Sequence, residues 1–69
     1  RDECAIQMRG AWEQLDVAEA KGFAGSVSYT KALGLLTAGK TMQTVENFDT
    51  CVENAKDARY YIGQSLLGQ

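Results

Sequence analysis

The chain has no histidine, no proline and only 2 cysteines in 69 residues. Without histidine it lacks the commonest general base and the commonest zinc ligand, so Ser-His and Cys-His catalytic arrangements are excluded within it. A surplus of positive charge is missing too: 7 Lys+Arg stand against 9 Asp+Glu, a net charge of -2. The basic residues Arg1, Arg9, Lys21, Lys31, Lys40, Lys56 and Arg59 are dispersed. No basic stripe is there to neutralise a phosphate backbone, and nucleic acid is not an expected partner. No run of about 18 apolar residues occurs, so no transmembrane segment is expected. At this length a single small core is the ceiling, and a cleft between two domains is excluded.

What the chain does have is helical spacing. Cys4, Met8, Ala11, Leu15, Ala18 and Gly22 recur at steps of three or four, with Trp12 adjoining, which predicts an amphipathic helix over about residues 2–21. Asp2 and Glu3 suit the partial positive charge at its start. Gly22 followed by Phe23 reads as a left-handed stop with an apolar residue folding back. Gly25 completes the break, and Ser26 or Ser28 can cap a second helix over about 27–44. Its predicted stripe is Tyr29, Ala32, Leu33, Leu35, Leu36, Met42 and Val45. Gly34 and Gly39 lie inside it at about 1 kcal/mol each relative to Ala, which points to close approach of a neighbouring helix, with local flexibility as the alternative. Asn47 reads as the N-cap of a third helix over about 48–66; a break at Gly39 to Thr41 is the rival. Phe48, Val52, Ala55, Ala58, Ile62 and Leu66 form its stripe, with Cys51 beside it, and Leu67 to Gln69 are expected to fray. The expected fold class is all-α, an up-down-up three-helix bundle in one domain spanning 1–69.

In such a bundle the first and third helices run parallel, so their N-terminal turns lie at one end. Cys4 and Cys51 occupy those turns, on or beside the apolar stripes, and a Cys4–Cys51 disulfide is the expected state. Free buried thiols and a redox-active pair are the alternatives. The bond implies an oxidising compartment, periplasmic or extracellular. Arg1 in place of an initiator methionine fits a processed or trimmed chain, and Cys4 behind Arg1-Asp2-Glu3 does not read as a lipid-attachment site.

Few residues point to chemistry. Glu13, Asp16 and Glu19 read as a solvated face rather than a metal site, since calcium sites want a glycine-bend loop and di-metal bundles want histidine. The Gly22 to Gly25 turn lacks what a phosphate loop needs. Trp12, Arg59 and Tyr60 are the candidate partner-binding residues, because Trp, Tyr and Arg are favoured anchors; edge-of-core packing is the alternative. Of the Tyr60-Tyr61 pair, Tyr60 is expected to point outward.

Residues 32–36, Ala-Leu-Gly-Leu-Leu, and 46–59, Glu-Asn-Phe-Asp-Thr-Cys-Val-Glu-Asn-Ala-Lys-Asp-Ala-Arg, are similar to uncharacterised helical-hairpin domains of bacterial envelope proteins. The second stretch also resembles the second helix of a tetratricopeptide unit, with Asn47-Phe48 at the turn and Ala55 and Ala58 at packing positions. The resemblance implies an exported bacterial protein and carries over no functional residue. The expected function is a non-enzymatic interaction or accessory module that docks another protein, or itself as a homo-oligomer, with no cofactor. The alternative is a carrier for a small apolar ligand, with room at Gly34 and Gly39 beside Leu35, Leu36 and Met42.

Overall fold

The computed structural model describes residues 2–68 and contains α1 (Asp2–Ala20), α2 (Val27–Thr44) and α3 (Phe48–Leu66). A bond between Cys4 and Cys51, with Cα atoms 5.6 Å apart, joins the first turns of α1 and α3. At the other end the Ser26 hydroxyl before α2 meets the Ser65 hydroxyl near the end of α3 at 3.0 Å. These two links establish the up-down-up order, in a body of 33 × 17 × 14 Å.

Each helix stops for a local reason. Gly22 has φ 88°, and the Gly22 and Phe23 N–H groups donate to Glu19 O (2.9 Å) and Ala18 O (3.0 Å). This paired closure satisfies carbonyls that the helix end would leave bare, and it carries Phe23 back against the core. Ser26 then caps α2, its Oγ accepting from the Tyr29 N–H at 3.1 Å. The end of α2 uses the same closure with a residue less suited to it. Glu46 adopts φ 62°, while the Glu46 and Asn47 N–H groups donate to Gln43 O (3.2 Å) and Met42 O (2.8 Å). Asn47 closes α2 through its backbone and opens α3 through its side chain, with Oδ1 accepting from the Thr50 N–H at 3.4 Å. The break thus falls at Asn47, not at Gly39 to Thr41.

The interior is thin. It is built from Cys4, Met8, Ala11, Leu15 and Ala18 of α1, Ala32, Leu36 and Gly39 of α2, and Cys51, Ala55, Ala58, Ile62 and Ser65 of α3. Five of these are alanines, so the helices approach closely and the larger side chains work from the edges. Trp12, Phe23, Tyr29, Leu35, Met42, Phe48, Val52, Tyr61 and Leu66 are the partly buried hydrophobics that pack around this centre.

Several expectations are corrected. Val45 is the C-cap of α2 and is 63% exposed, and Leu33 is also exposed, so neither belongs to the buried stripe. Gly39 does mark a close approach: a Cβ there would stand 3.0 Å from Met8 Sδ and 3.4 Å from Asn54 Cβ. Gly34 does not, since it is exposed with nothing within 4 Å of such a Cβ. The room expected at Gly39 for a ligand is therefore taken by Met8, and Gly34 opens outward. Leu67 and Gly68, past the end of α3, lie in a turn whose N–H groups donate to Gln64 O (3.1 Å) and Ser65 O (2.9 Å), which leaves the expected fraying untouched; Gln69 lies outside the described residues. Among those residues no helix is long and apolar enough to cross a membrane.

Candidate functional site

Lys31, Gly34 and Leu35 occupy positions i, i+3 and i+4 of α2, one face of the helix, and across the seam stands Tyr61 of α3. These four residues line a surface hollow of about 360 Å³. Its walls follow from the local sequence. Leu35 and Tyr61 are half-buried because each turns one side to the core, and Gly34 supplies no side chain to fill the space between them. Lys31 Nζ stands 5.4 Å from the centre of the Tyr61 ring, within cation–π range. The Tyr60 ring meets the Tyr61 ring edge-on, with centroids 5.3 Å apart and planes at 77°. Tyr60 is 63% exposed, as expected for the outward member of the pair. The hollow thus has an apolar floor, an aromatic wall extended by a second tyrosine, and one cation at its rim.

The three residues singled out from the sequence do not converge on one patch. Arg59 braces α1 against α3: its Nη1 donates to Gln7 Oε1 at 3.0 Å and would lie 3.5 Å from a Cβ on Gly10. Trp12 lies one turn beyond Met8, the residue that meets Gly39 of α2, and its half-buried ring packs on the core. Tyr60 does not line the hollow and reaches it only through its edge-on contact with Tyr61. Gly34 and Leu35 were named from the sequence as room for an apolar ligand, with Gly39, Leu36 and Met42, whereas Lys31 was not, although it shares their helical face; the wall at Tyr61 comes from the interhelical register.

A second hollow of about 360 Å³ lies at the disulfide end, lined by Asp2, Ala5, Gln43, Thr44, Glu46 and Phe48. It holds two carboxylates, and among the described residues no group of three metal-binding side chains occurs. Tyr29 is held above the usual phenol range, chiefly by burial and then by the negative charges of Glu19 and Asp16. Its proton therefore stays on the oxygen at neutral pH. No family model, curated protein or solved structure matches this chain.

Proposed function

We propose that this is a non-enzymatic interaction module of an oxidising, extracytoplasmic compartment, and that it docks a protein segment in the hollow between α2 and α3. The observation that carries the reading is the open, aromatic-walled space over Gly34. The hollow is shallow and open, so it suits one flank of an apolar side chain laid against Leu35 and Tyr61, and Lys31 at the rim favours a carboxylate beside it. The occupant is therefore a partner segment that pairs an apolar residue with Asp or Glu. The Cys4–Cys51 bond supports the compartment, because such bonds persist where thiols are not kept reduced. With no histidine in the chain, no nucleophile-base pair of the usual kind can be assembled at this hollow.

The test is site-specific photo-crosslinking from position 60 in envelope extracts, in the otherwise native chain and in Gly34→Leu and Gly63→Leu backgrounds. Both glycines are exposed with nothing within 4 Å of an added Cβ, so both variants should stay folded, which circular dichroism checks. An adduct formed in the native and Gly63→Leu backgrounds and lost with Gly34→Leu is expected, its crosslinked peptide carrying an apolar residue next to a carboxylate. An adduct indifferent to Gly34, or none at all, overturns the reading.

A further inference from the structure

The face of α1 turned away from the core carries a pattern that the bundle does not use. Ile6 is 60% exposed and Val17 47%. Eleven positions apart, they fall about 20° from each other around the helix and roughly 16 Å along it, so they share one outward face. Around them stand Asp2, Arg9, Glu13, Asp16 and Lys21, all exposed. The order of these charges matters. Laid antiparallel on a second α1, about a two-fold axis level with Ala11 and Trp12, each residue n comes level with residue 23 minus n. Ile6 then meets Val17 of the second copy, and Asp2 comes level with Lys21, just past the end of α1, on the other flank of the contact. Arg9 comes level with Gln14, within a turn of Glu13 and Asp16. Laid parallel, every charge faces its own sign, which is destabilising. Only the antiparallel orientation brings opposite charges together, with Glu13 alone lying within a turn of its own copy, and such a register fits a two-fold interface.

We propose that two copies of this chain associate through the outer faces of α1, antiparallel, with Ile6 and Val17 as the apolar contacts and Arg9 opposite Glu13 and Asp16. This surface is separate from the α2–α3 hollow and stands without it. One helix from each chain makes a small interface, so dimers form in the range of roughly 10 µM to 1 mM rather than at nanomolar concentration.

Sedimentation equilibrium of the oxidised chain across that range, at low salt, tests the proposal, with circular dichroism confirming that every variant stays helical. A concentration-dependent dimer is expected. Ile6→Glu, Arg9→Glu and Glu13→Arg should each weaken it at least about tenfold. An equimolar mixture of Arg9→Glu with Glu13→Arg should recover most of the lost affinity, because the two changed charges then face each other while the unchanged pair is kept, and only the new carboxylate at position 9 facing Asp16 holds it below the native chain. A monomer throughout the range overturns the proposal. So does a mixture that associates no better than either variant alone, since that removes the antiparallel register. Gly34→Leu, which blocks the hollow, should leave the dimer unchanged.

Discussion

Replacing both cysteines, Cys4→Ala with Cys51→Ala, should bring this domain close to its folding limit. The bond spans 47 positions, and the loop-closure model assigns about 4 kcal/mol to a crosslink of that length. Both residues are fully buried, so trimming their sulfurs also leaves small voids worth roughly 1 kcal/mol or less each. Against this, a 69-residue domain has a total stability of roughly 3–10 kcal/mol. Its alanine-rich interior, with Leu15, Leu36 and Ile62 as the largest fully covered side chains, places it toward the lower half of that range. The double variant should therefore melt at least about 20 °C below the oxidised protein, followed by the helical circular dichroism signal. Urea titration gives the free energy directly. Intact mass after alkylation supplies the control: the oxidised chain should take no label until it is reduced. A melting point within about 5 °C of the native value would refute the loop-entropy reasoning. Two thiols labelled without reduction would remove the bond and, with it, the support for an oxidising compartment.

Other predictions concern single positions. Glu46→Gly relieves a left-handed residue at φ 62°, worth about 1–2 kcal/mol, and returns about 0.4–1 kcal/mol as added freedom of the unfolded chain. The unfolding free energy from urea titration should rise by the difference, and a fall would show that the Glu46 side chain contributes more than its backbone strain. Gly34→Ala and Gly63→Ala should each stabilise by about 0.5–1 kcal/mol through helix propensity, whereas Gly39→Leu should cost more than about 2 kcal/mol by driving atoms into Met8 and Asn54. Ser26→Ala loses the α2 cap and leaves the buried Ser65 hydroxyl without its partner, so it should cost about 2 kcal/mol. Ser65→Ala leaves Ser26 bonded to the Tyr29 N–H and should cost less than about half of that, with equal losses refuting the asymmetry.

How legible the molecule was depends on the helix. In α1 the residues from Cys4 to Ala18 that recur at helical spacing are all buried, because the other faces are mostly charged, with Ile6 and Val17 too isolated to suggest a second core side. The same holds for Cys51, Ala55, Ala58 and Ile62 of α3. The boundaries at Gly22 and Asn47 were readable because such caps favour particular residue types, whereas for α2 the sequence left Ser26 and Ser28 both open. In α2 apolar residues lie on more than one side, so Leu33 and Val45 counted as core although they face out. Ser65 gave no apolar cue, and its partner is 39 positions away. Gly34 and Gly39 look alike in a sequence, since a helical glycine admits both a close neighbour and an empty space. Only the rotation of α2 against α1 and α3 decides which each one is.

That rotation explains why a hollow can persist in a domain with so little core. The seam between α2 and α3 is held near Ser26 and Ser65 by their hydroxyls and near Gly39 by its close approach to Asn54, so the hollow lies between two fixed points. The space over Gly34 results from a missing side chain, not from loose packing, and filling it should alter the surface without moving the helices. Its propensity cost does not by itself point to function, because exposed Gly63 carries the same cost with the same emptiness around it. The two differ in their neighbours: Gly34 stands between Leu35, Lys31 and Tyr61. Alanine at either position should therefore raise stability alike, while only alanine at 34 should weaken docking. A loss of docking with Gly63→Ala would show that the hollow is not where the partner binds.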